Sequence, residues 1–189
     1  MINARKTTAL DLTWTGVMAA VACVLGPMSI QIPVSPVPVT LTNLVLYIFS
    51  CLLGWKQAMT GCFLYLLLGA AGLPVFSGFS GGLAKLAGPT GGYLIGFLFL
   101  TACSSAAAEK FPENRFLQVL GMALGTAMAY GFGTVWLGRL MGLSFMEALA
   151  IGVLPYLAFD GVKIGIAAAL GPVLRKRLRR AGVMQRRGL

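Results

Sequence analysis

The chain has 189 residues, of which 58% are hydrophobic and 11% charged, with a mean hydropathy of +0.85. Charged residues usually make up about 25% of a soluble domain, and one core of this size cannot hide so much apolar surface, so the composition excludes an ordinary soluble fold and points to the bilayer as solvent. The net charge of +10 would suggest nucleic acid in a soluble protein, but no aromatic residue interleaves with the clustered basic ones, and nucleic acid is not expected as a partner.

Span one is expected over 12–30. It follows Arg5 and Lys6, lacks a clear A-x-A cleavage site, and so reads as a retained span rather than a signal peptide. The stretch 31–40 carries Pro33, Pro36 and Pro38 and no charge, which forbids regular helix and gives a stiff, extended segment suited to a lid. Span two is predicted over 41–54 and span three over 57–73, with Trp55 and Lys56 in the turn between them. A Gly-rich loop covers 74–92. Spans four and five are predicted over 93–108 and 116–140, with a charged loop between them. The stretch 141–152 reads as a loop with a short interfacial helix, and span six as 153–174, with Pro155 near its start where proline is tolerated. These six transmembrane helices make one all-α membrane domain.

Lysine and arginine set the orientation. With the N-terminus inside, Arg5, Lys6, Lys56, Lys110, Arg115 and seven tail residues (Arg175, Lys176, Arg177, Arg179, Arg180, Arg186 and Arg187) are cytoplasmic, against Lys85 and Arg139 outside. This bias needs an even number of spans and puts both termini in the cytoplasm. The tail also suits anionic lipid headgroups. Trp14 and Trp55 then fall at the cytoplasmic interface. Small residues recur four apart at Gly16 and Ala20, Gly92 and Gly96, Gly121 and Gly125, and Gly161 and Gly165, a spacing that serves internal packing or a docking face.

Asp160 and Lys163 are the sharpest chemical signal. A charge at the bilayer centre costs about 2.5–3.5 kcal/mol, so two in one span must pair or face water. At i and i+3 they lie about 60° apart on the helix and can pair locally. They are either a structural ion pair or a polar ligand site. The Gly-rich stretch 77–93 has no GxxxxGK[ST] and no GxGxxG, so ATP hydrolysis by this chain is not expected. Its glycines suit tight turns and close approach to a ligand. Backbone N–H groups near 90–93, Gly91 among them, are candidates for holding an anion, with Lys85 on the same side. Thr40 and Asn43 follow the Pro-rich segment, and Asn43 brings donors and acceptors into a span. Tyr47, Tyr65, Tyr130 and Tyr156 are too ordinary in a membrane core to assign. Cys23, Cys51, Cys62 and Cys103 lie in apolar runs and read as buried hydrophobes. With no histidine and no nucleophile–base pair, an enzyme is not expected, nor a metal or cofactor.

Three segments together, IPVSPVPVTLTNL (32–44), YLLLGAAGLPVFSGFSGGLAKLAGPTGGYLIGF (65–97) and LPYLAFDGVKIGIAAAL (154–170), resemble the BioY family, the biotin-capturing subunits of energy-coupling factor (ECF) transporters. The resemblance implies biotin uptake by a six-helix subunit. Its partners would be one transmembrane coupling subunit and two cytoplasmic ATPases, which consume the ATP. It also implies that Asp160 and Lys163 of the D-x-x-K segment face biotin, with Tyr93 and the Gly-rich loop in the same pocket. Biotin's ureido ring has two N–H donors and one carbonyl, so Asp160 can accept while Lys163 or Asn43 donates. Biotin's sulfur ring and aliphatic chain want apolar, aromatic walls, for which Phe76, Phe79 and Tyr93 are candidates, and the valerate carboxylate is expected near Lys85 or the loop at 88–92. A capture subunit for thiamine or riboflavin, an ion-coupled carrier titrating Asp160, and a structural scaffold are the competing readings.

Overall fold

The computed structural model describes residues 9–33 and 35–183. Arg5, Lys6, Arg186 and Arg187, counted above for orientation, lie outside the described residues. The chain runs through α1 (Ala9–Leu25), a two-stranded ribbon of β1 (Ser29–Ile30) and β2 (Val39–Thr40), α2 (Thr42–Leu52), α3 (Trp55–Ala70), the short α4 (Leu83–Ala87), α5 (Gly91–Lys110), α6 (Arg115–Met141) and α7 (Phe145–Gly152). A 3-10 turn (Leu154–Tyr156) then leads into α8 (Leu157–Arg180).

Among the described residues, three stretches are long and apolar enough to cross a membrane: Gly91–Lys110, Arg115–Met141 and Phe145–Arg180. At 1.5 Å per residue, α6 is about 40 Å long, more than the hydrocarbon requires. Asn114 caps its start by accepting from the Leu117 N–H, and Gly142, left-handed at φ 66°, ends it. Ser144 and Glu147 then form a capping box that starts α7.

The expected boundaries shift for local reasons. Helix α1 ends at Leu25 rather than at residue 30, because Gly26 and Pro27 follow it and Ser29 and Ile30 pair in the ribbon. Trp55 and Lys56, expected in a turn, start α3, which ends at Ala70 rather than at residue 73. The Gly-rich loop is not all loop: it holds α4, too short to show periodicity, and α5 begins at Gly91. Pro155 starts a 3-10 turn, so regular helix begins only at Leu157. That helix then runs to Arg180, six residues past the expected end, because basic side chains on an exposed helix end favour its C-terminal dipole.

Glycine decides how closely α5 and α6 approach. A Cβ on Gly96 would stand 2.9 Å from Ala129 Cα, one on Gly125 2.8 Å from Leu100 Cα, and one on Gly121 would overlap Ala107 Cβ. These pairs serve internal packing. Gly16, Gly161 and Gly165 instead have nothing within 4 Å of where a Cβ would stand, and they leave open faces on α1 and α8. The main apolar core gathers Met18, Leu46, Tyr47, Cys62, Tyr65 and Phe76; a second joins Val37, Tyr93, Leu137, Ala148 and Tyr156. All four cysteines are free, with Cys51 and Cys62 buried.

Helix ends sort the charges. The Trp14 indole N–H donates to the Val183 carbonyl at 2.8 Å, joining the start of α1 to the chain after α8. The Trp55 N–H donates to Glu109 Oε2 at 2.6 Å, joining the start of α3 to the end of α5. Lys56, Lys110 and Arg115 sit at those helix ends, while Arg139 closes the opposite end of α6.

Candidate functional site

Four polar side chains from three helices meet inside this apolar body. Asn43 stands in the first turn of α2, Tyr130 in the middle of α6, and Asp160 and Lys163 in the first two turns of α8. Asn43, Asp160 and Lys163 are each less than one-tenth exposed. The Asn43 amide N–H donates to Asp160 Oδ1 at 2.6 Å, the Lys163 ammonium donates to the same oxygen at 2.8 Å and to Asn43 Oδ1 at 3.0 Å, and the Tyr130 hydroxyl donates to Asp160 Oδ2 at 2.5 Å. Burying two charges is costly unless they pair and their remaining atoms are satisfied, and this ring does both. The pair falls on one stripe of α8, where Asp160, Lys163, Ala167 and Gly171 are the buried residues.

The ring forms one end of a cavity of about 500 Å³, counted with its mouth. The ribbon supplies one wall with Val37, Pro38, Val39 and Thr40. Tyr93, Phe97 and Leu100 of α5 and Thr126, Ala129 and Tyr130 of α6 supply another, and Gly152 and Tyr156 complete it. A half-open, mostly apolar space with polar groups converging at one point is the usual form of a small-molecule site.

Spare hydrogen-bonding capacity tells what that point can hold. A carboxylate offers about four acceptor positions, an ammonium three donors and an amide two donors. Oδ1 of Asp160 takes two bonds and Oδ2 one, Lys163 gives two, and Asn43 gives one. One acceptor position on Asp160 and one donor each on Lys163 and Asn43 are left over. The ring can therefore accept from one ligand N–H and donate to an adjacent ligand carbonyl without breaking itself.

Of the residues expected at the site, the structure brings together Thr40, Asn43, Tyr93, Asp160 and Lys163. Phe79, Lys85 and Gly91 do not line the cavity. Phe79 is 70% exposed at φ 53°, in the tight turn closed by the Phe76–Ser80 bridge. Lys85 is half-buried in α4, and that burial lowers its pKa. Gly91 is buried with its backbone so close to α4 that a Cβ there would overlap the Leu86 carbonyl oxygen. Its N–H donates to Gly88 and that of Tyr93 to Thr90, so these two donors, expected to hold an anion, are occupied. Phe76 packs edge-on against Tyr65, 5.6 Å between centroids, in the main core. Sequence reasoning missed Tyr130 and Tyr156. Both sit in apolar runs, and nothing in their spacing singles them out from Tyr47 or Tyr65.

The fold and the cavity define a helical membrane protein with a central small-molecule pocket. The chain matches the BioY family over residues 2–180. It is 37% identical to a probable biotin transporter BioY of Pyrococcus horikoshii over 77% of this chain and 85% of that one. It is 36% identical to the biotin transporter BioY of Thermotoga maritima over 78% and 86%. Its structure resembles the crystal structure of the S-component for biotin from an ECF-type ABC transporter, with a TM-score of 0.81 at 29% identity, covering 88% of this chain and 90% of that one. The chain belongs to the BioY family.

Proposed function

We propose that this chain captures biotin as the substrate-specific subunit of an ECF-type transporter and that its task is uptake, not catalysis. One observation carries the reading: the free acceptor on Asp160 and the free donors on Lys163 and Asn43 match one N–H and the carbonyl of a ureido ring. The bicyclic body would lie against Tyr93, Phe97 and Val39, with Thr40 at the rim. The proposed protein is multi-pass in the cytoplasmic membrane. Its six spans are α1, α2, α3, α5, α6 and α8, and both termini face the cytoplasm. The basic helix ends gathered around Trp14 and Trp55 support that orientation.

Delivery would need a transmembrane coupling subunit and two cytoplasmic ATPases, which use the ATP; this chain needs no cofactor of its own. The open face of α1 at Gly16 and Ala20 suits close docking of the coupling subunit, while Ala19 beside them is already buried. An ion-coupled carrier is less well supported, since Asp160 already accepts from three protein donors and its spare acceptor faces a cavity sized for a small molecule. The deciding experiment purifies the protein in mild detergent, identifies any co-purified small molecule by mass spectrometry, and measures binding of biotin, thiamine and riboflavin. Biotin alone should bind; a preference for either other vitamin, or no binding, overturns the reading.

A further inference from the structure

The Pro-rich segment lines one wall of the cavity, and among its described residues little local structure holds it there. Its strand pairing is two residues on each side, Ser29 opposite Thr40 and Ile30 opposite Val39, and so short a ribbon is marginal by itself. Its prolines remove backbone donors that would otherwise tie it down. Between the strands, the Ser35 N–H donates to Ile32 and the Val37 N–H to the Ser35 hydroxyl, both bonds within the segment. At its middle, the buried Val37 carbonyl accepts from the hydroxyl of Tyr156, itself 5% exposed. Tyr156 ends the 3-10 turn and stands one helical turn before Asp160, so the two lie on the same face of one rigid element. Val37 also packs with Tyr156 in the second apolar cluster.

We propose that the Tyr156 hydroxyl is a latch: it holds the Pro-rich segment down over the pocket, filled or empty, and so sets how long a bound ligand stays. A closed segment and a correctly aimed Asp160 are then two properties of the same helix end. The latch is a positioning device, since Tyr156 acts through Val37 and not on the ureido ring. It rests on the reading of the cavity as a biotin site for its ligand arm only.

The test has two arms. In the first, stopped-flow binding compares wild type with Tyr156→Phe, which keeps the ring packing and removes only the hydroxyl. The control is Tyr65→Phe, where another buried hydroxyl donates to a loop carbonyl, that of Val75, away from the cavity. Loss of one buried hydrogen bond is expected to raise koff for biotin about tenfold in Tyr156→Phe and to leave koff unchanged in Tyr65→Phe. In the second arm, amide hydrogen exchange on ligand-free protein should quicken at Val37, Val39 and Thr40 in Tyr156→Phe and not in Tyr65→Phe. Unchanged koff, an equal rise in the control, or unaltered exchange in the segment overturns the latch. Failure of wild type to bind biotin overturns the functional reading instead, and the exchange arm then judges the latch without any ligand.

Discussion

The buried ring around Asp160 and the Gly-rich segment 77–93 are both conspicuous in the sequence, yet the chain uses them differently. The ring is built by distant residues: Asn43 and Asp160 are 117 positions apart, and Tyr130 and Asp160 are 30. The Gly-rich segment is mostly bonded to neighbouring loops and helix ends, with the Phe76 N–H on Ser80, the Gly82 N–H on Gly69, the Gly78 N–H on Pro27 and the Trp136 indole on Gly88. Only its last residue, Tyr93, reaches the cavity. A charge in an apolar interior compels partners to converge on it, because leaving it alone costs so much. A glycine compels nothing at a distance. It permits a local turn or contact, and its presence does not say which.

The largest test of this contrast is Lys163→Met. It removes one half of the buried pair while keeping the volume, and leaves Asp160 charged with only Asn43 and Tyr130 as donors. Breaking such a pair costs about 3–5 kcal/mol, so the melting temperature in detergent should fall sharply. The double variant Asp160→Asn/Lys163→Met should recover part of that loss. If the single variant melts like wild type, the pair does not hold the α8 stripe. Asp160→Asn alone also breaks the pair, leaving the Lys163 ammonium buried without its carboxylate, so it too should lower the melting temperature, and its affinity is read on the folded fraction. It converts a charge-assisted acceptor into a neutral one, and biotin affinity by calorimetry should fall about 10- to 100-fold. Unchanged affinity would sink the ureido assignment.

Gly91→Ala comes next and separates the two regions by readout. Its Cβ would overlap the Leu86 carbonyl, so the α4–α5 turn must shift. Overpacking of this kind costs about 1–3 kcal/mol. The effect should appear in the melting temperature, while biotin affinity stays within about threefold. An affinity loss larger than the stability loss would return the Gly-rich turn to the binding site.

What is legible in the sequence follows the same division. The long apolar runs of α5 and α6 are readable to within two residues at each end, because length and hydropathy alone define them. Asp160 and Lys163 are readable as a pair, because i,i+3 spacing on a helix fixes their separation. Asn43 is readable as a polar group in a span, but not as the bridge between them, since that depends on how α2 packs against α8. Tyr130 and Tyr156 stay hidden because a tyrosine is mostly ring, and hydropathy does not say whether its hydroxyl finds a carboxylate, a carbonyl or nothing. The four-residue glycine spacing is equally blind to direction: Gly96 and Gly125 meet a neighbouring helix, while Gly161 and Gly165 meet none.

The smallest expected effect belongs to the residues whose chemistry looks most suitable. Lys85 is a cation near a Gly-rich turn, and Phe79 is an aromatic ring on the same segment; each fits one part of biotin on paper. Yet Phe79 points its ring into open surroundings at 70% exposure, and neither residue lines the cavity that contains Asp160. A cation outside the buried site attracts a carboxylate by only about 0–1 kcal/mol, and salt weakens that further. Lys85→Ala and Phe79→Ala should therefore change equilibrium biotin affinity by less than about threefold, and any effect of Lys85→Ala should shrink between low and physiological salt. A loss of tenfold or more that persists at high salt would mean that α4 moves onto the ligand when it binds. The Gly-rich segment would then be part of the site, and the contrast with the Asp160 ring would fail at the point where it is easiest to measure.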